Sequence, residues 1–95
     1  MGIRERKVEQ YLDKEITNLG GLTRKWTSPG RDGVPDRLVL IKGTVWFVEV
    51  KTLDGKLSEA QKREHIRLKD CGGRVRTVYG EDGVDDLIEE IILWT

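Results

Sequence analysis

Val34-Pro35-Asp36-Arg37-Leu38-Val39-Leu40-Ile41-Lys42-Gly43-Thr44-Val45-Trp46-Phe47-Val48-Glu49-Val50-Lys51 is the stretch that decides how this chain folds. Two apolar runs, Arg37 to Ile41 and Thr44 to Thr52, are interrupted only by Lys42-Gly43. Runs that are apolar at both odd and even positions belong to strands covered on both faces, so both are expected to be central in a sheet. Lys42 and Gly43 are expected to be the two central residues of a tight hairpin. Positions facing each other then sum to 85, and Asp36 falls opposite Glu49. The two Cα atoms would lie about 4.5–5.5 Å apart, with both side chains on one face. Lys51 shares that face, roughly 6.5–7 Å further along the strand. Val48 and Val50 point the other way, while Leu38, Leu40, Val45 and Phe47 continue the acidic face as an apolar floor.

Charges within an apolar strand are costly unless they act together. Like charges directly opposed across a strand pair also destabilise it, so two facing carboxylates need a cation. Mg²⁺ takes hard oxygen ligands, usually one or two carboxylates with waters and substrate phosphate oxygens. A lysine beside such a pair can hold or deprotonate an attacking water and stabilise charge on a phosphorane-like transition state. Asp36, Glu49 and Lys51 are therefore the candidate catalytic centre of a metal-dependent phosphodiester hydrolase. A salt-bridged cluster on a sheet face is the bland alternative, and buried ion networks are weak stabilisers.

Working outward, Arg4 to Leu19 reads as an amphipathic helix with Val8, Leu12, Ile16 and Leu19 at helical spacing and Gly20-Gly21 as its stop. At about 100° per residue, Glu5 projects onto the centre of that stripe, whereas Glu9 lies about 40° to one side. Glu5 is the better candidate for a helix-borne acid reaching the sheet; the alternative is an acid at a helix N-terminus. Leu22 to Thr27 alternates as a strand does, and residues 28–33 form a loop. Leu53 to Leu57 is a second loop. Ser58-Glu59-Ala60-Gln61 has the form of a capping box opening a helix that runs to about Cys71, where Gly72-Gly73 ends it. Gln61 either contacts the site or only completes that box. Arg74 to Tyr79 is a fourth strand, Gly80 to Gly83 a loop, and Val84, Leu87, Ile88, Ile91 and Ile92 one face of a last helix. The expected fold is α/β in the order α-β-β-β-α-β-α, a single domain over residues 1–95. A helix joins the third and fourth strands, so they should run parallel.

Ninety-five residues with one cysteine exclude an internal disulfide and suit a reducing compartment. Cys71 is expected to be a small buried hydrophobe. No apolar run approaches a membrane span and the first residues are too polar for a signal peptide, so a cytoplasmic location is expected. The net charge is zero, but Glu81 to Thr95 holds six acids and no base. Residues 1–80 keep eleven acids against seventeen bases, a net +6. That asymmetry permits a basic working surface with an acidic patch elsewhere.

Four blocks, Gly33-Val34-Pro35-Asp36, Phe47-Val48-Glu49-Val50-Lys51, Gly55-Lys56-Leu57-Ser58 and Gln61, resemble in order and approximate spacing the VRR-NUC (virus-type replication-repair nuclease) family of the PD-(D/E)XK nuclease superfamily. Pro-Asp or Glu-x-Lys alone is nearly worthless; all four on matching elements are fairly specific. The resemblance implies a restriction-endonuclease-like core, a mixed four-stranded sheet flanked by helices. It implies Mg²⁺ or Mn²⁺ held by Asp36, Glu49 and the Val50 carbonyl, with Lys51 catalytic, Gln61 in support and an N-terminal acid best matched by Glu5. Short stand-alone members look like phage or prophage proteins and resemble homodimeric Holliday junction resolvases. The implied substrate is branched DNA, a four-way junction or flap, in a bacterial or phage-infected cell.

Arg31, Lys56, Arg37 and Lys62 are candidate DNA contacts, with Arg31 and Lys56 foremost because they flank the motif strands. Arg24, Lys25, Arg63 and Arg67 follow; taken singly, each is ordinarily a solvated charge. His65 reads as an exposed helix residue. Trp26, Trp46 and Trp94 suit core or subunit contacts, and Trp94 beside Ile91, Ile92 and Leu93 suggests burial against a second copy. The competing readings are a module that grips branched DNA without cutting and a subunit of a replication-repair assembly.

Overall fold

Lys42 and Gly43 both take left-handed backbone, with φ of 52° and 75°. This is the conformational pair that a two-residue type I′ turn requires. In the computed structural model, which describes residues 2–94, they close a hairpin between β2 (Arg37–Ile41) and β3 (Thr44–Lys51). Met1 and Thr95, the ends of the expected 1–95 domain, lie outside the described residues. The hairpin register runs from Ile41↔Thr44 to Arg37↔Val48. That is the expected alignment, with Asp36 one residue before β2 begins.

The remaining elements are α1 (Ile3–Asn18), β1 (Leu22–Lys25), α2 (Glu59–Asp70), β4 (Arg74–Tyr79) and α3 (Gly80–Leu93). The sheet order is β1-β2-β3-β4, with the first three antiparallel and β4 parallel to β3. This is the mixed sheet and the α-β-β-β-α-β-α order that the sequence predicts. β1 ends two residues before the expected Thr27, although Trp26 still donates its amide to the Asp36 carbonyl at 3.0 Å.

One sheet face carries α1 and α3. Val39, Ile41, Trp46, Val48, Val50 and Val78 meet Val8, Leu12, Ile16, Val84, Leu87 and Ile91 there to form the core. Leu12 and Ile16 are fully buried, and each contributes roughly 2 kcal/mol of transfer free energy. α2 packs on the opposite face, over β4. The far half of that face is bare: Leu22, Leu40 and Val45, direct neighbours across three strands, are 41, 40 and 39 % exposed. The apolar floor expected beneath the acids is thus only partly covered.

Several expectations are corrected. Residues 80–83 are not a loop: α3 starts directly on Gly80, whose φ of 67° turns strand into helix within one residue. A Cβ on Gly80 would lie 2.9 Å from the Leu53 side chain. Cys71 is exposed because it caps the end of α2. His65 is buried, not exposed, because α2 lies over β4 with Glu64 and His65 turned inward. Trp46 is a core residue, and Trp94 packs edge-on against it at 5.3 Å with the Arg74 guanidinium 4.8 Å from its ring.

Candidate active site

β2 and β3 place Asp36 and Glu49 on the α2 face because the hairpin register and the two-residue period of strands leave no other arrangement. Asp36 is fixed by a hydrogen bond from the Val50 amide to its Oδ1 at 3.3 Å. Glu5 reaches the same point from the start of α1, and ligand oxygens of Glu5, Asp36 and Glu49 all lie within 4.8 Å of one another. Glu9, the competing helix acid, is not a member of that group: its carboxylate pairs with Arg37. The helical phase that favours Glu5 therefore agrees with the structure.

Lys51 stands beside the acids with Nζ 3.9 Å from Glu49 Oε2 and its side chain mostly buried. Gln61 does both of the things its position suggested. Its Oε1 accepts from the Ser58 amide at 2.8 Å while Ser58 Oγ accepts from the Gln61 amide at 3.1 Å, a complete capping box. Its Nε2 donates to Glu49 Oε2 at 3.2 Å. The cap therefore orients the amide, and the amide orients the carboxylate.

Burial pushes the Asp36 carboxyl up to about 6, helped by Glu9 and Glu5 and opposed by the Val50 amide. Burial likewise pushes Glu49 up to about 7, with Asp36 and Glu5 adding to it and Lys51 opposing. Carboxylates held at such values repel one another at neutral pH, and a cation among them relieves that repulsion. Glu49 Oε1 is buried without a hydrogen-bond partner, an acceptor left for something else. Three hard carboxylate oxygens with one unpartnered fit Mg²⁺ or Mn²⁺.

Of the expected DNA contacts, Arg31 and Lys56 are exposed on loops. Lys62 is exposed on α2 and pairs with Glu59 at 3.3 Å. Arg37 is placed otherwise: its guanidinium pairs with Glu9 and, at 3.4 Å, with Asp13, and its side chain is 14 % exposed. It ties α1 to β2 and is not presented to a ligand. Glu5, Glu9 and Asp13 stand at i, i+4 and i+8 on α1, a row of like charges that destabilises a helix by itself. That row was the signal in the sequence for a buried arginine partner.

His65 also has a part that its position in the sequence did not suggest. Its ring lies against the Gly33 backbone, and burial lowers its pKa. Gly33 has φ 90° and packs so closely on α2 that a Cβ would run into the Ala60 carbonyl. The loop before Asp36 is thereby held against the helix that carries Gln61.

A model of the VRR-NUC domain matches residues 5–82. The chain is 43% identical over 81 residues to the p44 protein of Acyrthosiphon pisum secondary endosymbiont phage 1, which carries the name of a nuclease. That match covers 84% of this chain and 87% of the phage protein. A solved structure described as a VRR_NUC domain superposes with a TM-score of 0.84 at 40% identity, covering 93% of this chain and 97% of that one.

Proposed function

The chain belongs to the VRR-NUC family of nucleases, and on that footing we propose that it is a Mg²⁺- or Mn²⁺-dependent endonuclease acting on branched DNA. It works as a homodimer, in the manner of a Holliday junction resolvase, in the cytoplasm of a bacterial or phage-infected cell. The observation that carries the reading is the convergence of Glu5, Asp36 and Glu49 beside Lys51, with one buried oxygen unpartnered.

Asp36, Glu49 and Glu5 would hold the ion through carboxylate oxygens, with the Val50 carbonyl as a further hard ligand. When bound, the ion supplies Lewis-acid stabilisation of the developing phosphorane charge and makes water a better nucleophile. Lys51 contributes a compact positive charge on the acidic face, where it can orient the attacking water and stabilise non-bridging oxygens. Gln61 fixes the rotamer of Glu49, and the Val50 amide fixes Asp36. Neither carboxylate has to reorganise before reaction.

Two apolar surfaces support self-association. One is the end of α3, where Ile92 and Leu93 are exposed. The other is the bare row Leu22, Leu40 and Val45. The row is the better interface, because Trp94 at the α3 end already packs on Trp46. Among the described residues, no helix is long and apolar enough to cross a membrane.

The test is a panel of labelled four-way junction, flap and plain duplex in Mg²⁺, Mn²⁺ and EDTA. Metal-dependent, paired incisions in the junction are expected. A gel shift without cutting in either metal would reduce the protein to a binding module, and equal cutting of plain duplex would sink the branched-DNA preference.

A further inference from the structure

A basic concavity lies between the 28–33 loop and α2. It has a volume of about 340 Å³ and is lined by Gly30, Arg31, Asp32, Ala60, Arg63 and Arg67. Ala60, Arg63 and Arg67 follow one another at helical spacing along the flank of α2. Gln61, Glu64, His65 and Leu68 face inward or sideways from them. Arg31 stands opposite on the loop, and Gly33 seats that loop on the Ala60 carbonyl. The cleft begins one residue from Gln61, whose amide touches Glu49.

We propose that this cleft binds a backbone phosphate of the DNA strand, with Arg31, Arg63 and Arg67 as its ligands, and so anchors the substrate beside the cutting site. The proposal rests on the reading of the chain as a DNA nuclease. Arg67 is pre-oriented: its Nε donates to Glu64 Oε1 at 3.0 Å and its Nη2 lies 2.9 Å from the same oxygen. Glu64 is buried, so it can hold the guanidinium while the other N–H groups point outward. Among the described residues, the side chains of Arg31 and Arg63 form no ion pair. Three guanidiniums around one small concavity suit a phosphate, whose oxygens accept forked N–H pairs. Asp32 lies in the same lining and limits the charge, which favours a diester phosphate over a more highly charged free anion. The contact carries no base information; it would set register and affinity, leaving chemistry to the acids.

The experiment uses the full chain and fluorescence anisotropy with labelled four-way junction in EDTA, from 50 to 250 mM salt. The double variant Arg31→Ala with Arg63→Ala leaves the Glu64–Arg67 pair intact and should fold normally by circular dichroism. Loss of two phosphate contacts should weaken binding roughly tenfold and lower the slope of log K against log salt by about 2. In Mg²⁺, the KM for junction cleavage should rise by about the same factor. Lys14→Ala with Lys42→Ala removes the same charge from the outside of α1 and the hairpin turn, and should leave both affinity and slope near wild type. Equal losses in the two double variants would make the effect one of net charge and overturn the anchor, as would an unchanged slope in the first. Inorganic phosphate added at millimolar concentration should compete poorly with DNA; strong competition would assign the cleft to a free anion instead. Wild type that binds with full slope yet never cuts defeats the nuclease reading alone, whereas cutting with an indifferent arginine variant defeats the anchor alone.

Discussion

Glu49 is the residue at which stability and chemistry pull in opposite directions. A carboxyl whose folded pKa is raised above its unfolded value holds its proton more tightly in the folded state. Metal-free protein therefore gains stability as pH falls through about 7 for Glu49 and about 6 for Asp36. None of that gain remains once both are ionised. Melting in EDTA should show Tm rising from pH 8 to pH 5, with Glu49→Gln above wild type at pH 8 and flatter below it. Adding Mg²⁺ at pH 8 should raise the wild-type Tm and leave Glu49→Gln almost unmoved, since only the former keeps the proposed ligand set. A wild-type Tm indifferent to both pH and Mg²⁺ would mean that the acids do not form an ion site. Lys51→Ala should behave differently. On the proposed mechanism, losing that charge should cost on the order of 10²- to 10³-fold in kcat, with junction affinity within a few-fold of wild type by anisotropy. An equal fall in affinity would make Lys51 a binding residue instead.

At the scale of elements, α1 delivers Glu5 to the sheet, and Arg37 ties that helix to β2 beside the core contacts of Val8, Leu12 and Ile16. Arg37→Ala leaves Glu9 and Asp13 without their cation and should cost about 3 kcal/mol in urea unfolding. Because Glu5 rides on α1, kcat should fall more than KM rises; Arg37→Lys should restore part of both. Unchanged kcat in a folded Arg37→Ala protein would show that Glu5 is placed by other contacts. This pair also marks where the sequence stops being legible. Asp36, Glu49 and Lys51 can be brought together on paper because a two-residue turn and the strand period fix every register between them. The phase of α1 singles out Glu5 by the same arithmetic. Arg37 and His65 escape it. Each sits on a face that local periodicity leaves ambiguous, and its partner is set only when α1 crosses β2 or when the 28–33 loop folds over α2. The start of α3 escapes for another reason: Gly80 compresses into one residue a turn that the sequence pattern spreads over four. Cys71 reads as buried by residue type, but its position at the helix cap decides its exposure.

For the whole molecule, the bare row of Leu22, Leu40 and Val45 bears on the proposed homodimer. Leu40→Glu alters a half-exposed side chain, so the monomer should lose little, within about 0.5 kcal/mol. Light scattering should show wild type at twice the monomer mass and the variant at once, with paired incisions in a junction giving way to single nicks. A variant that stays dimeric moves the interface to the end of α3. The distribution of charge has a further consequence. The acids of α3 lie across the sheet from α2 and the arginine-lined loop, so a molecule of zero net charge still has a positive and a negative pole. In the field of any polyanion it experiences a torque before it experiences a net pull. It would turn its working side forward at a distance of several ångströms, with little tendency to cling elsewhere along the strand, and salt would blunt that alignment before it abolished contact.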